Sequence, residues 1–193
     1  MLDIYLITNE LQNISEIHIV SVRNECKEIL IKIEPGFDGE IKYFCVDLQP
    51  VGTNNFQFVE SEEKSAIPTF SSNIKKYLYE PNSSLMKSGA FKLISQRFAI
   101  EKLHVNSHLY TSDNPISDFP GRVFEVVGFA PFNKKVKKEL LSDITEASVA
   151  TRNFPLSANE LRKSLNLKES DKNFLFGTTL IGEKKVVILC KKI

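Results

Sequence analysis

The sequence of 193 residues predicts a mixed α/β (α+β) fold. β-branched runs such as Ile17–Val22 are typical of buried strands. Stretches with apolar residues at helical spacing alternate with these runs, and glycine- and proline-containing turns separate them. The apolar content of 42% and the charged content of 25% are those of a folded globular protein. No stretch approaches the roughly 18 uncharged apolar residues that cross a bilayer, so no membrane partner is predicted.

The first 65 residues begin with a weak helical pattern over Leu2–Leu11, followed by the strand Ile17–Val22. The next segment, residues 24–30, favours a helix, because Asn24 is a suitable N-cap. A strand is the alternative, since apolar side chains recur there at every second position. The residues that alternate are Ile29, Ile31 and Ile33.

Two more strands are predicted at Ile41–Leu48 and Phe56–Glu60, and the polar stretch Glu60–Ser65 is the best candidate for a linker. A sheet that begins in this way lacks earlier strands beside it and leaves an edge unpaired. We therefore expect the chain to be the later part of a longer protein. A homodimer formed through the exposed sheet edge of residues 1–65 is also predicted, since unpaired edges bind other strands.

From Lys76 to Arg152 the predicted order of elements is βαββαβ, the ferredoxin-like order. An αββ segment follows it. Its helix begins at the capping box Ser157–Glu160, and its two strands form a hairpin that turns at Gly182–Glu183. The elements of the βαββαβ part are strands at Lys76–Tyr79, near His108–Tyr110, at Arg122–Phe129 and at Ala147–Arg152, with helices from Ser84 to about Phe98 and from near Asn133.

The residues offer little for catalysis. There is no glycine-rich phosphate loop and no nucleophile elbow, so we predict no catalytic residue in this chain. His104 and His108 are four residues apart, but strand and turn signals surround them and no further ligands complete a set, so no metal site is predicted. Three widely spaced cysteines in apolar runs indicate reduced thiols and a cytoplasmic protein.

Charge is unevenly distributed along the chain. Residues 121–193 contain 14 Lys and Arg against 8 Asp and Glu, whereas residues 1–120 contain 11 against 16. Such asymmetry is typical of a unit that faces a polyanion. Lysines also crowd the start of the helix near Asn133, although ordinary solvated lysines explain this equally well. The predicted RNA contacts are Lys134, Lys135, Lys138, Arg152, Arg162 and Lys163.

Four segments of the sequence together resemble the C-terminal half of a bacterial family of class I S-adenosylmethionine-dependent methyltransferases that ends in a THUMP-like domain. These segments are Ser21–Glu28 (SVRNECKE), Tyr77–Asn82 (YLYEPN), Asp118–Phe124 (DFPGRVF) and Thr151–Leu156 (TRNFPL).

The resemblance implies four parts: the last elements of the methyltransferase sheet at 1–65, a linker at 66–74, a ferredoxin-like segment at 75–120 and a THUMP-like domain at 121–193. It implies S-adenosylmethionine for the parent protein, and structured RNA (tRNA or rRNA) as the partner. The glycine-rich loop and acidic residue that hold the cofactor in such enzymes have no counterpart here, so no cofactor-binding residue and no methyl transfer by this chain alone are predicted. Two alternatives are a protein-interaction or dimerisation module and an accessory domain of a methyltransferase with a non-RNA substrate.

Overall fold

The computed structural model describes residues 4–193. The chain divides into two compact units. The first unit contains the described residues up to Pro68 together with Pro81–Phe98, and the second contains Thr69–Glu80 together with Ala99–Ile193. As predicted, both units mix helices with sheets.

The first unit is a four-stranded sheet in the order β2-β1-β3-β4. Strands β1 and β3 are parallel, and the two outer pairs are antiparallel. Its helix α3 packs on β1 and β3. The elements are α1 (Ile4–Glu10), β1 (Ile14–Val22), β2 (Glu25–Ile33), β3 (Lys42–Leu48), β4 (Thr53–Val59), α2 (Glu60–Ser65), α3 (Ser83–Ser88) and α4 (Phe91–Arg97).

Alternation along the strands explains the core of this sheet. Every second side chain of β1 from Ile17 is buried, and the same period places Tyr43 and Cys45 of β3 inside. The strand predictions for this region are confirmed. So is the helical pattern near the N-terminus, as far as it lies within the described residues.

Three predictions for this unit are wrong. Residues 24–30 do not form a helix: Arg23 and Asn24 have φ of 51° and 64°, make the two-residue turn of the β1–β2 hairpin, and lead into β2. The polar stretch Glu60–Ser65 is helix α2 rather than a linker. The helix predicted from Ser84 to Phe98 is two helices, because Gly89 ends α3 in the left-handed conformation, with φ 81°.

The second unit is a seven-stranded sheet in the order β6-β7-β5-β8-β11-β10-β9. Strands β9 and β10 pair in parallel, and helix α6 connects them, whereas β8, β11 and β10 are antiparallel neighbours. The elements are β5 (Tyr77–Pro81), β6 (Glu101–Lys102), β7 (Tyr110–Ser112), β8 (Gly121–Pro131), α5 (Val136–Leu140), β9 (Ser148–Arg152), α6 (Ala158–Ser164), β10 (Phe174–Leu180) and β11 (Lys184–Lys192).

Two predicted local motifs in the second unit are confirmed. Ser157 Oγ accepts the N–H of Glu160, and the Glu160 carboxylate accepts the N–H of Ser157 at 2.8 Å, which is the reciprocal capping box that starts α6. The last hairpin turns at Gly182 and Glu183, with φ of 81° and 61°. Two consecutive left-handed residues give a tight turn that matches the twist of the strands.

Candidate nucleic-acid interface

The lysines near α5 lie on the surface. Lys134, Lys135 and Lys138 are exposed, and no ion pair to any of them occurs within the part of the chain that the structure describes. Val136 is only 3% exposed, so it anchors the segment while the lysines point to solvent. Helix α5 has only five residues, so its dipole has little influence on the nearby lysines. The lysines therefore act as ordinary positive charges on the surface.

Helix α6 presents two more of the predicted contacts. Arg162 is paired: its Nη1 lies 2.8 Å from Oε2 of Glu169, and its Nη2 donates to Oδ1 of Asn159 at 2.6 Å. Lys163 is exposed and has no ion pair among residues 4–193. The neutralised Arg162 is therefore a weaker candidate for phosphate binding than Lys163.

Arg152 belongs to a different environment. Its Nη2 lies 2.7 Å from Oε1 of Glu80, a carboxylate that is only 1% exposed. The other oxygen of Glu80 accepts hydrogen bonds from both Nε and Nη2 of Arg122, the Nε bond measuring 2.8 Å. One buried carboxylate thus joins two arginines, and we call Glu80, Arg122 and Arg152 the arginine pair cluster.

Packing holds the cluster in place. The guanidinium carbon of Arg122 lies 5.5 Å from the centre of the Phe124 ring, which is fully buried. Thr178 Oγ1 donates to the carbonyl of Arg152 at 2.9 Å, and Thr179 Oγ1 donates to that of Asn153. These contacts fix the corner at the end of β9, where Asn153 has a φ of 51°.

His104 and His108, at which no metal site was predicted, lie near this corner. His104 Nδ1 is 3.0 Å from Nδ2 of Asn153, and its Nε2 is 3.1 Å from Oε1 of Glu183. Burial, followed by the charges of Lys102 and Arg152, lowers the pKa of His108 to about 4. His108 is therefore neutral at physiological pH and adds no charge.

Within the described part of the chain, the structure shows no direct side-chain contact among the predicted RNA-contacting residues. No side-chain hydrogen bond or ion pair among residues 4–193 joins any two of the six predicted RNA contacts. Sequence reasoning missed Glu80 and Arg122. Two sequence signals pointed to these residues. Glu80 is a single acid at the end of an apolar strand. Three of the four segments that carry the family resemblance also each contain one member of the cluster.

The described residues contain no cluster of side chains that could hold a metal ion. No group of three or more His, Cys, Asp or Glu side chains in residues 4–193 is arranged to hold a metal ion. None of the strand-to-helix turns in this range carries a glycine-rich loop, so these residues do not fit the methyl donor. Burial raises the pKa of Cys45 and of Cys190 to about 12, which leaves both thiols protonated and unreactive.

No helix among the described residues is both long enough and apolar enough to cross a membrane.

Comparison with known families places two domains in this chain. Residues 77–120 match a family described as a ferredoxin-like domain, and residues 121–192 match a family described as THUMP domain-like. No curated protein is significantly similar to the chain.

A solved structure is similar over the whole chain: a "putative methyltransferase" from Porphyromonas gingivalis W83, with 36% sequence identity and a TM-score of 0.91. The match covers 100% of this chain but 49% of that protein, so the chain spans about half the length of its structural relative.

Proposed function

Because this chain carries a ferredoxin-like domain followed by a THUMP-like domain and matches half of a methyltransferase-like protein, we propose that it is the RNA-binding, substrate-recognition region of an S-adenosylmethionine-dependent methyltransferase. The region would bind structured RNA such as tRNA or rRNA by its backbone. Three thiols without disulfide partners fit a cytoplasmic protein.

The observation that carries this proposal is the exposed lysine surface of the THUMP-like domain. Lys134, Lys135 and Lys138 have no acidic partner within residues 4–193, and the domain has a surplus of basic residues. Surface lysines without partners are the groups that bind phosphates and release counterions, and they read backbone rather than sequence.

We place methyl transfer in the half of the related protein that the match to this chain does not cover. S-adenosylmethionine, when bound there, would supply the methyl group. We assign to the present residues the role of orienting the RNA, because they include the THUMP-like domain and its exposed lysines.

The test measures tRNA binding by the 193-residue chain. Fluorescence anisotropy gives the affinity at several salt concentrations. We expect affinity to fall steeply with salt. The triple variant Lys134→Gln, Lys135→Gln, Lys138→Gln should bind more weakly, and its slope of log affinity against log salt should be shallower by about 2, since each lost phosphate contact removes about 0.7–0.9.

A matched control replaces three surface lysines of the first unit, Lys27, Lys42 and Lys64, by glutamine. This control removes the same charge and should leave the slope unchanged. Equal weakening by both triple variants would reduce the proposal to non-specific attraction. Affinity that does not change with salt would contradict it.

Homodimerisation is the second candidate, and the edge strand β2 is the observation that favours it. Leu30 and Ile33 on β2 are 53% and 51% exposed, although both are large and apolar. An edge with such side chains binds other strands. Light scattering of the wild type and of Leu30→Lys would show a dimer that the variant loses, whereas a monomeric wild type would remove this candidate.

A further inference from the structure

We propose that the arginine pair cluster is a phosphate-binding site, in which Arg122 and Arg152 together bind one phosphodiester group of the RNA. This inference rests on the proposed function and adds to it a specific site that the lysine surface does not provide. The lysines near α5 supply diffuse charge, whereas two guanidinium groups held on one carboxylate supply fixed geometry.

The charge balance is the first argument. Glu80 carries one negative charge and the two arginines carry two positive charges, so the cluster keeps a surplus of one. Because both arginine side chains reach solvent, this surplus positive charge is available to attract an anion, and a phosphodiester carries a single negative charge.

Hydrogen bonding is the second argument. Each guanidinium has five N–H donors. Arg122 places two of them on Glu80, and Arg152 donates from Nη1 to the carbonyl of Thr151 at 3.1 Å. The 2.7 Å ion pair of Arg152 with Glu80 does not have hydrogen-bond geometry, and Arg152 Nε is buried without a hydrogen-bond partner among residues 4–193. Arg122 Nη1 makes no hydrogen bond among residues 4–193 and, unlike the buried Arg152 Nε, is a donor that an oxyanion from solvent can use.

Access is the third argument. Glu80 is buried, but the side chains of Arg122 and Arg152 remain 30% and 36% exposed. The carboxylate lies beneath the surface and its two partners reach solvent. This arrangement fits a site in which Glu80 orients the arginines and a ligand binds to their outer donors, as bidentate arginine recognition of phosphate requires.

The experiment measures tRNA affinity of Arg122→Gln, Arg152→Gln and Arg122→Lys in the full 193-residue chain. We expect each glutamine variant to bind about tenfold more weakly, the loss that one charge-assisted contact gives. Arg122→Lys should recover only part of this loss, since lysine keeps the charge but not the planar fork. Arg97→Gln is the matched control, because Arg97 is 33% exposed and paired with Glu62 in the first unit. It should bind as the wild type.

A second measurement separates a phosphate site from a purely structural ion pair. Side-chain Nε–H resonances of arginine, followed by NMR during titration with inorganic phosphate, should shift for Arg122 and Arg152 and not for Arg97. Saturable shifts with phosphate alone combined with unchanged tRNA affinity in the variants would mean a free-anion site, which overturns the RNA assignment. Lower melting temperature with neither phosphate shifts nor weaker tRNA binding would mean that the cluster is structural only.

Failure of this inference is distinguishable from failure of the proposed function. If the lysine triple variant weakens tRNA binding and the arginine variants do not, the RNA-binding function stands and the arginine site falls. If the wild type binds no tRNA, the proposed function falls, and the phosphate titration alone then decides whether the cluster binds an anion.

Discussion

Asp47 shows how a single buried side chain determines local structure in the first unit. It is 1% exposed and accepts hydrogen bonds from Ser21 Oγ at 2.5 Å, from the N–H of Asn24 at 3.0 Å and from Gln49 Nε2. Asn24 in turn accepts the N–H of Ser83 at 2.8 Å. One carboxylate therefore fixes the β1–β2 turn, and that turn fixes the start of α3.

Replacing Asp47 by alanine should lower the free energy of unfolding by about 3 kcal/mol, because its donors would be buried without an acceptor. Urea denaturation followed by circular dichroism measures the loss. Asp47→Asn should lose less, since it keeps one acceptor oxygen, and the exposed Asp38→Ala serves as the control. A loss for Asp47→Ala no larger than that of the control would show that the turn holds without the carboxylate.

His108 makes stability depend on pH. Burial, Lys102 and Arg152 lower its folded pKa to about 4, below the ordinary value of 6.5, so the unfolded chain binds the proton more tightly. The stabilisation is complete above pH 6.5 and is lost as the pH falls toward 4. We expect His108→Asn, which suits the φ of 52° at this position, to flatten the decline between pH 6.5 and 4 in thermal melts. Parallel curves for variant and wild type at every pH would contradict this origin.

At the scale of elements, the sequence predicted best where one signal acted alone. The period of two in β1 and the capping box at Ser157 were sufficient, because each fixes its element from local residues. At Asn24 two signals competed: the same residue suits an N-cap and a left-handed turn, and pairing with β1 decided for the turn. Sequence reasoning missed the arginine pair cluster, although three of the resembling segments hold its members, since Glu80 and Arg152 are distant in sequence and meet only through the folded sheet.

The close approach of α6 to β10 depends on Gly177. A Cβ there would lie 2.7 Å from Leu161 Cδ2 and 3.0 Å from Phe154 Cδ1. Gly177→Ala should therefore lower the free energy of unfolding by about 1–3 kcal/mol, measured by urea denaturation. Adding Leu161→Ala should cost less in this background than in the wild type, because the truncated side chain removes the clash. Strictly additive losses would show that the helix does not rest on this glycine.

At the scale of the whole molecule, a net charge of +1 conceals two halves of opposite sign. The acidic half contains strands and turns without a cofactor loop, and the basic half contains the THUMP-like domain. This division of charge agrees with the proposal that the basic part of the chain is the part that contacts RNA.

Because no strand-to-helix turn in residues 4–193 carries a glycine-rich loop, we predict that the 193-residue chain does not bind S-adenosylmethionine. Isothermal titration calorimetry should give only heats of dilution at cofactor concentrations up to about 1 mM, the upper end of ordinary substrate affinities. Saturable heat would show that strand ends in residues 4–193 form a cofactor site after all. Running the same titration with tRNA present tests whether RNA creates such a site.

The chain passes from one compact unit to the other at residues 68–69, 80–81 and 98–99. A protease that cuts the backbone between residues 80 and 81 would leave two fragments that each contribute residues to both units, whereas a cut at 68–69 or 98–99 would leave one fragment that belongs to a single unit. A recombinant fragment that starts at residue 75 would carry α3 without the strands β1, β2 and β3, and α4 without helix α2, the elements that they contact. Attempts to isolate residues 75–193 by truncation should therefore yield insoluble material, and circular permutation or an internal replacement of residues 81–98 would be needed to obtain the second unit alone.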